Sequence, residues 1–350
     1  MKKVLVAMSG GVDSSVAAYL LKEQGYEIAG VTMCLGVKRE DAAACCGAEA
    51  INDARRVCDV IGIGHYVLDF SKEFDKDVVG YFIDEYAKGR TPNPCVNCNK
   101  YLKFGQLLAY AKSLGFDYLA TGHYAKIISA SGGNDFVLKK PKDRKKDQTY
   151  FLYCIKKEDL GKIIFPLADY TKEEVRAIAK KAKLSVAEKK ESQDICFIPE
   201  GDYAAYLRDK IKLVPGDIVN LNGKVMGKHK GVVAYTIGQR QGLGISHKTP
   251  LYVIGIDVKN NRVVVGGKQD LLSSGLIADN VNLLVDRLPT AAAAKIRYSF
   301  KETMCDVFGE NGIIKINFPH YQEAVTPGQS VVLYDGDIVL GGGVIREAIK

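Results

Sequence analysis

The fold is decided by the stretch KKVLVAMSGGVDSSVAAYLLKEQGYEIAGVTM, which covers residues 2–33. Its apolar run VLVAM predicts a buried strand, and the glycine-rich turn SGGVDSS follows that strand directly. From Ser15 to Gln24 apolar residues recur at helical spacing, and the helix is expected to end before Gly25. The next run, EIAGVTM, predicts a second strand. This order of strand, turn, helix and strand is typical of a parallel α/β sheet.

The turn SGGVDSS, residues 9–15, predicts a phosphate-binding loop. Backbone amides and the positive end of the helix dipole converge there, and Gly10 and Gly11 let an anion approach the backbone closely. The serine hydroxyls would add donors, and Asp13 is expected either to cap the helix or to hold a magnesium ion. The chain lacks both GxxxxGK[ST] and GxGxxG. A different nucleotide chemistry from that of those two motifs is therefore indicated.

Strands and helices continue to alternate to about Leu119, with HYVLDF and DYLAT as further candidate strands. The segment from Tyr150 to Leu184 has helical spacing, and Thr171 and Glu174 form a capping-box pattern within it. After Pro199 the pattern changes, because short runs rich in valine, isoleucine and tyrosine alternate with glycine or asparagine turns. This change predicts β structure for the rest of the chain.

The predicted fold class is α/β, a parallel nucleotide-binding sheet with flanking helices, followed by two small β-rich domains. In VIGIDVKNNRVVVG, Asn260 and Asn261 are expected to supply the positive φ of a tight hairpin. We predict a catalytic domain over residues 1–200, a central β domain over 201–272 and a C-terminal barrel-like domain over 273–350.

Composition limits the class of protein. A chain of 350 residues is longer than a single hydrophobic core usually accommodates, so we predict two or three domains. With 47% hydrophobic and 26% charged residues, the composition excludes a disordered chain. The apolar stretch Val4–Met8 is too short for a signal peptide, so we expect a cytoplasmic protein. A formal net charge of +8 favours a polyanionic partner. Nine cysteines, an odd number, indicate reduced thiols.

Cys95 and Cys98 lie in GRTPNPCVNC, and Cys196 lies in ESQDICFIP. Lysines after CVNC would favour a thiolate at Cys98, and sulfur transfer needs one thiolate to carry a persulfide and a second to release it. Two metal hypotheses stay open. One is a zinc site that includes Cys95 and Cys98, and the other is an iron–sulfur cluster on Cys95, Cys98 and Cys196. Further zinc ligands would come from Cys45, Cys46 and Cys58. Plain buried thiols are expected for Cys34, Cys58, Cys154 and Cys305.

Several motifs occur together in one order: SGGVDSS, GRTPNPCVNCN, ATGHYA, KDQTYFL, ESQDICF, GKHKGVVAYTIGQRQGLGI, IRYSF and PGQSVVLYDGD. The first resembles the pyrophosphate-binding loop of N-type ATP pyrophosphatases, and the set resembles the tRNA-specific 2-thiouridylases over nearly the whole chain. The resemblance implies ATP-dependent 2-thiolation of the wobble uridine, position 34, of tRNA. The C2 oxygen would be adenylated and sulfur would come from a cysteine persulfide, with release of AMP and pyrophosphate.

The resemblance also implies a set of site residues. The catalytic residues would be Asp13, Cys98 as nucleophile and Cys196 as persulfide carrier, the two cysteines ending as a disulfide. ATP would contact Ala7, Met8, Ser9, Gly10, Gly11, Val12, Asp13, Ser14, Met33 and Gly122. The target base would contact Asn93, Pro94 and Cys95. The tRNA would contact His123, Lys146, Asp147, Gln148, Arg297, Tyr298 and Gln329. Many relatives have aspartate where this chain has Cys95, which keeps the [4Fe-4S] alternative on Cys95, Cys98 and Cys196 open.

The implied cofactors are ATP and Mg²⁺, and the implied partners are tRNA and a cysteine desulfurase or sulfur-relay protein, with no membrane. The basic run at residues 139–146 could bind tRNA phosphate or be a solvated loop. A rival hypothesis is an ATP-dependent amide ligase for a small metabolite, which leaves the cysteine motifs unexplained. A second rival is an RNA-binding or redox-sensing module that carries a nucleotide without releasing pyrophosphate.

Overall fold

The computed structural model describes residues 1–37, 48–130, 133, 135–191, 195–198 and 202–350. Cys45, Cys46, residues 192–194 of the ESQDICF motif and the predicted boundary between 200 and 201 lie outside the described residues. The chain forms two compact units. The first contains Met1–Val78, Cys95–Phe197 and Gly336–Val339, and the second contains Val79–Pro94, Ile198–Asp335 and Leu340–Lys350.

The first unit is built on a parallel sheet. The strands of the first unit are β1 (Lys3–Ala7), β2 (Glu27–Cys34), β3 (His65–Asp69), β4 (Tyr118–Thr121), β5 (Lys126–Ser129), β6 (Phe136–Lys139) and β7 (Ile163–Ile164). The sheet has the order β3-β2-β1-β4-β7, and each neighbouring pair is parallel. β5 and β6 form an antiparallel hairpin. The predicted parallel α/β sheet is therefore confirmed.

Helices flank this sheet, and two further helices, Tyr81–Ala87 and Tyr203–Arg208, belong to the second unit. The part of the chain that the structure describes contains nine α-helices. They are α1 (Val12–Glu23), α2 (Ala48–Ile61), α3 (Ser71–Phe74), α4 (Tyr81–Ala87), α5 (Pro94–Asn97), α6 (Leu108–Ser113), α7 (Thr149–Leu152), α8 (Lys172–Lys181) and α9 (Tyr203–Arg208). Asp75–Gly80 and Cys98–Leu107 have π-type hydrogen bonding. Short 3₁₀ turns occur at Arg144–Lys146, Lys157–Lys162, Val232–Ala234 and Lys268–Leu271. Within the described residues, no helix is long and apolar enough to cross a membrane.

The core of the first unit explains why the first stretch folds as predicted. Val4, Val6 and Val16 are fully buried in one apolar cluster, so β1 and the inner face of α1 exclude water together. α1 ends before Gly25, whose φ of +82° is the left-handed conformation that glycine adopts without strain. The capping box predicted at Thr171 is present. The Thr171 side chain accepts from the Glu174 backbone amide, and the Glu174 carboxylate accepts from the Thr171 backbone amide.

The second unit contains two β sheets. The first has strands β8 (Gly216–Asn220), β9 (Val225–His229), β10 (Tyr252–Asp257) and β11 (Arg262–Gly266) in the order β10-β11-β8-β9. The predicted hairpin joins β10 to β11. Only Asn261 of the asparagine pair has a positive φ, +51°. The Asn260 amide instead donates to Asp257 Oδ1 at 3.1 Å.

The remaining strands form a closed barrel. They are β12 (Leu272–Leu283), β13 (Ala291–Lys295), β14 (Thr303–Glu310), β15 (Ile313–Glu323), β16 (Ser330–Asp335) and β17 (Ile338–Ile349). Their order is β12-β15-β14-β13-β16-β17, and β12 also pairs with β17. Closure removes the exposed strand edges that an open sheet would present. Together with the β8–β11 sheet, the barrel confirms the predicted β-rich C-terminal half.

One sequence prediction is wrong in the first unit. The segment from Tyr150 to Leu184 is not continuously helical, because Ile163 and Ile164 form β7 and pair with Leu119 and Ala120 of β4. The hairpin β5–β6 was not predicted either. Two isoleucines are too few to show the alternation of a strand, and tertiary pairing decides their conformation.

Candidate functional site

The loop after β1 is shaped by glycine. β1 ends at Ala7, and α1 begins at Val12 with Gly11 as its N-cap. Gly10 has a φ of +69°, and a Cβ atom there would overlap the backbone carbonyl of Ala50. Alanine is therefore excluded at this position by both strain and space. The turn leaves the first amides of α1 directed at one point, which is a geometry that binds phosphate.

A second glycine closes the other side of this loop. Gly122 follows β4, and a Cβ atom on it would lie 2.6 Å from the backbone nitrogen of Ser14. The carboxyl ends of β1 and β4 therefore meet at the head of α1. Met33 lies near the carboxyl end of β2, the strand on the other side of β1. In parallel sheets this edge is where ligands bind.

The serine hydroxyls tie the loop to itself. Ser14 Oγ accepts from the Ser9 amide at 3.1 Å and donates to the Gly11 carbonyl at 3.2 Å. Ser15 is fully buried and donates its hydroxyl to the same carbonyl at 2.8 Å. The Ser15 hydroxyl thus stabilises the first turn of α1.

Asp13 makes contacts that sequence reasoning did not foresee. Its carboxylate accepts from Tyr124 Oη at 2.9 Å and from Lys172 Nζ at 2.7 and 2.8 Å. The helix-capping hypothesis is wrong, because Gly11 is the N-cap and receives no side-chain cap. Burial, with the neighbouring Asp13 charge, raises the pKa of the Tyr124 phenol far above its ordinary value. Tyr124 is therefore a permanent donor to this carboxylate.

The contacts of Asp13 extend into a chain of ion pairs. Lys172 Nζ also lies 2.5 Å from Glu191 Oε1, and Lys146 Nζ lies 2.6 Å from Glu191 Oε2. Burial alone would raise the pKa of Glu191, but hydrogen bonds from Lys146 and Lys172 lower it below its ordinary value. Lys172 and Glu191 were missed because their partners are distant in sequence and no local motif marks them.

His123 connects the phosphate loop to the helix that carries Cys98. Its Nδ1 lies 2.6 Å from Thr121 Oγ1, and its Nε2 lies 3.4 Å from Lys103 Nζ. The rings of Phe104 and Phe165 have their centroids 6.0 Å from the imidazole. Burial, assisted by the Lys103 charge, lowers the pKa of His123 well below its ordinary value. The imidazole is neutral, with Nε2 as the acceptor and Nδ1 as the donor.

The segment that carries Cys98 is helical. α5 runs directly into the stretch Cys98–Leu107. Asn97, the last residue of α5, donates its side-chain amide to the Asp77 carbonyl at 3.2 Å. Cys98 is half-buried, and Cys95 is exposed one turn earlier.

The segment that carries Cys196 is anchored to the same part of the first unit. The ring of Phe197 packs edge-on against Phe74, with centroids 5.7 Å apart. Phe74 precedes Asp77 by three residues, which is about 4.5 Å of helical rise. Asn97, next to Cys98, and Phe197, next to Cys196, therefore contact one helical stretch at positions three residues apart.

Three other thiols are structural. Burial raises the pKa of Cys58, Cys154 and Cys305 to about 12 in each case. The predictions for these three cysteines are confirmed, whereas Cys34 is half-buried. Within the described part of the chain, no three histidine, cysteine, aspartate or glutamate side chains form a metal-binding group. The three cysteines proposed for an iron–sulfur cluster do not fit such a group in this structure.

Asp147 and Gln148, predicted to touch tRNA, hold the protein's own backbone. Asp147 is buried, and its Oδ1 accepts from the amide and the hydroxyl of Thr149 at 2.9 and 2.7 Å. Gln148 Oε1 accepts from the Tyr124 amide at 2.9 Å. These bonds fix the segment beside the phosphate loop, and contact with tRNA stays a prediction.

The basic run at residues 139–146 is partly neutralised by the protein itself. Lys142 Nζ lies 2.8 Å from Glu174, and Arg144 Nη2 lies 2.6 Å from Asp337. The run therefore presents less positive charge to a phosphate backbone than its composition indicates.

In the second unit, Arg297 is bound to the protein backbone. Its Nη2 donates to the carbonyls of Ile237 and Ala324 at 3.0 and 3.1 Å, and also to Thr326 Oγ1. Tyr298, the next residue, is 41% exposed. An exposed aromatic ring can stack on a nucleic acid base. Contact of Arg297 and Tyr298 with tRNA stays a prediction.

Gln329 anchors the segment that precedes the predicted base-contacting residues. Its Nε2 donates to the carbonyls of Thr91 and Pro92 at 2.9 and 3.4 Å. Asn93 and Pro94 follow in the chain. The Gln329 amide thus fixes the start of the NPC segment within the second unit.

The fold and the phosphate loop define a nucleotide-binding α/β protein whose catalytic sheet precedes β domains. Family models match three successive parts of the chain: the tRNA methyl transferase HUP domain over residues 2–200, the tRNA methyl transferase PRC-barrel domain over 204–267 and the Aminomethyltransferase beta-barrel domain over 273–345. The chain belongs to the tRNA-specific 2-thiouridylase family, as the following relatives show.

The chain is 55% identical over 350 residues to tRNA-specific 2-thiouridylase MnmA 1 of Syntrophus aciditrophicus, covering 99% of this chain and 94% of that protein. It is 49% identical to tRNA-specific 2-thiouridylase MnmA 1 of Caldanaerobacter subterraneus subsp. tengcongensis, covering 99% of each chain. Among solved structures, a 4-thiouridine synthetase–RNA complex with bound ATP matches at 18% identity with a TM-score of 0.36, covering 60% of this chain and 50% of that chain.

Proposed function

We propose that this chain catalyses the ATP-dependent 2-thiolation of the wobble uridine of tRNA, with release of AMP and pyrophosphate. The observation that carries the proposal is the position of the phosphate loop. His123 and Gly122 link it to the helix that carries Cys98, and the Cys196 segment packs on Phe74, in the stretch that also binds Asn97. Family membership supplies the substrate class.

The first step activates the base. The C2 oxygen of uridine attacks the α-phosphorus of ATP, the bond to the bridging oxygen breaks, and pyrophosphate leaves. The amides at the head of α1 stabilise the charge that develops on the departing phosphates. The uridine N3 proton is lost as the adenylated base forms, and it returns when the thiocarbonyl is made.

Asp13 is the residue that fits a magnesium ion at this loop. Magnesium prefers oxygen ligands and is commonly held by one or two carboxylates together with substrate phosphates and water. The Asp13 carboxylate lies at the head of α1 and its side chain is 31% exposed, so it can face a bound nucleotide. When bound, the metal would neutralise phosphate charge.

The second step transfers sulfur. The terminal sulfur of a Cys196 persulfide attacks C2, the carbon–oxygen bond breaks, and AMP leaves. The Cys98 thiolate then attacks the inner sulfur of Cys196, which breaks the persulfide bond and leaves the outer sulfur on C2. The resulting Cys98–Cys196 disulfide requires reduction by an external thiol before another turnover.

Presentation of the base is assigned to the NPC segment. Asn93, Pro94 and Cys95 would receive a uridine turned out of the anticodon stack, because C2 is inaccessible within a stacked base. Anchoring by Gln329 keeps the start of this segment fixed. The other proposed tRNA contacts are His123, Lys146, Asp147, Gln148, Arg297 and Tyr298.

The remaining proposals concern the cell. The persulfide sulfur would come from a cysteine desulfurase or from a sulfur-relay protein, and the reaction would take place in the cytoplasm, where tRNA and reducing thiols are present. Domains over residues 1–200, 201–272 and 273–350 are proposed as the functional divisions of the chain.

The function is tested with purified protein, ATP, magnesium, unthiolated tRNA, a cysteine desulfurase and cysteine. Digestion of the tRNA and mass spectrometry of its nucleosides should detect 2-thiouridine only when ATP is hydrolysable between its α and β phosphates. A matched reaction with tRNA carrying cytidine at position 34 should yield none. Equal thiolation with the non-hydrolysable analogue would contradict the adenylation step.

A further inference from the structure

Lys172 is a buried charge that the proposed reaction does not use. The residue is 9% exposed, and its Nζ lies 2.7 and 2.8 Å from the two oxygens of Asp13 and 2.5 Å from Glu191. Burying an ammonium ion is costly unless it is paired and hydrogen-bonded. Two carboxylates satisfy this requirement, so Lys172 belongs to a built cluster at the phosphate loop.

The backbone of Lys172 is fixed. It is the first residue of α8, directly after the Thr171 capping box, and its amide donates to Asp143 Oδ2 at 2.9 Å. Its aliphatic chain crosses near Tyr124, with Nζ 6.0 Å from the ring centroid. Any movement of the ammonium must therefore come from its side-chain torsions.

The cluster is electrically balanced without a metal. Asp13 and Glu191 supply two negative charges, and Lys172 and Lys146 supply two positive charges. Both oxygens of Asp13 are engaged by Lys172, and one of them also accepts from Tyr124. A divalent cation that binds Asp13 must compete with the Lys172 ammonium for these oxygens.

We propose that Lys172 is the built-in counter-ion of Asp13, and that the metal ion accompanying ATP is taken up by exchange against this ammonium. The inference rests on the proposed binding of ATP with magnesium at Asp13. In the protein without nucleotide, the ammonium holds the carboxylate in one orientation and keeps a free cation out. The triphosphate brings further negative charge, which favours the divalent cation over the singly charged ammonium at the Asp13 oxygens.

The exchange is tested through the magnesium dependence of nucleotide binding. Calorimetry with α,β-methylene-ATP at increasing free magnesium gives the magnesium concentration at half-maximal binding. Lys172→Met removes the ammonium and keeps the side-chain length. In Lys172→Met the magnesium concentration at half-maximal binding, the magnesium midpoint, should fall about tenfold, because magnesium no longer competes with the ammonium. A tenfold change corresponds to about 1.4 kcal/mol in binding free energy. Magnesium alone should also raise the Tm of the variant and leave that of the unaltered protein unchanged.

Lys180→Met is the matched control. Lys180 lies on the same helix and contacts Glu188 at 2.9 Å, so the change also breaks a lysine–carboxylate pair. It should leave the magnesium midpoint unchanged. If Lys172→Met does not fold, the double variant Lys172→Met/Glu191→Gln removes one charge of each sign, and its midpoint should still fall because Asp13 has lost its ammonium.

Two outcomes overturn the inference. An unchanged magnesium midpoint in both Lys172 variants would show that the ammonium does not compete with the metal. Equal weakening of nucleotide binding at every magnesium concentration would make Lys172 a phosphate ligand instead. Failure of the proposed function is distinguishable, because the unaltered protein would then bind no α,β-methylene-ATP at any magnesium concentration.

Discussion

Polar side chains serve different purposes in the two units. In the first unit, Asp13 binds Lys172 at the head of α1, and His123, which follows β4, binds Lys103. In the second unit, Arg297 and Gln329 use their donors on backbone carbonyls. A parallel sheet leaves its carboxyl edge open for ligands, whereas a closed barrel has no such edge. The open strand edge of the first unit therefore suits a reaction site, whereas these polar side chains of the second unit hold its own backbone.

The largest effect is expected from Cys196→Ala in the first unit. Without the sulfur carrier, 2-thiouridine formation should fall by about 10³-fold or more, as when a nucleophile is removed. Transfer of AMP from α-labelled ATP to tRNA should persist, because it needs only the phosphate loop. The matched control is Cys305→Ala, a buried thiol of the barrel, which should retain thiolation. If the Cys196→Ala variant formed 2-thiouridine at the wild-type rate, the assignment of the persulfide to Cys196 would be contradicted.

The next effect tests the phosphate loop by adding one methyl group. In Gly122→Ala the new Cβ would lie 2.6 Å from the Ser14 nitrogen, so the loop must shift. We expect ATP affinity to fall about 10- to 100-fold, since overpacking costs about 1–3 kcal/mol. Calorimetric titration with ATP measures the change. Gly64→Ala is the control, because its Cβ would have only 3.8 Å contacts with Tyr66. Equal ATP affinity in Gly122→Ala and Gly64→Ala would show that Gly122 does not lie at the ATP site.

A stability effect of similar energy is expected in the second unit. Arg297→Met leaves the carbonyls of Ile237 and Ala324 without this donor, and unfolding free energy should fall by about 1–3 kcal/mol. Urea unfolding followed by circular dichroism measures the loss, while ATP affinity should stay unchanged. Arg346→Met, which breaks an exposed pair with Glu347, should cost less than about 1 kcal/mol. Loss of ATP affinity in Arg297→Met would break the division of roles between the units.

The smallest effect is the pH dependence of stability at His123. Its folded pKa lies below the ordinary 6.5, so the unfolded chain binds the proton more readily. The stabilising contribution of the neutral imidazole is therefore present above pH 6.5 and is lost as pH falls toward the folded pKa. One proton changes stability by at most about 1.4 kcal/mol per pH unit.

The His123 prediction is measured by urea unfolding between pH 7 and pH 5. His123→Gln should flatten the decline, and the remaining slope includes His65, whose pKa is also lowered by burial. The exposed His320→Gln is the control and should keep the full decline. An unchanged slope in His123→Gln would show that this imidazole is not desolvated.

Local sequence patterns predicted much of the fold. The apolar run at Val4, the glycine that ends α1 and the capping box at Thr171 each act within a few residues, so their spacing is informative. The same holds for the phosphate loop, because strand, turn and helix are contiguous. The two isoleucines of β7 carried no such pattern, and their conformation depends on pairing with β4.

The ion-pair cluster could not be predicted in the same way. Lys172 lies in TKEEVRAIAKK, whose charges are typical of a solvated helix, and its partner Asp13 is 159 residues away in sequence. Likewise, Arg297 and Gln329 were assigned to tRNA by resemblance, while their carbonyl partners are visible only in the folded chain. As RNA contacts, these two residues stay predictions.

Burial of three thiols has a consequence for their own reactivity. Cys58, Cys154 and Cys305 are held protonated at physiological pH, with pKa values raised to about 12. Electrophiles and oxidants attack thiolates, so these side chains are chemically silent toward alkylating reagents and peroxides. Cysteine can therefore remain an ordinary packing residue in both cores, even in a molecule for which a persulfide at Cys196 is proposed.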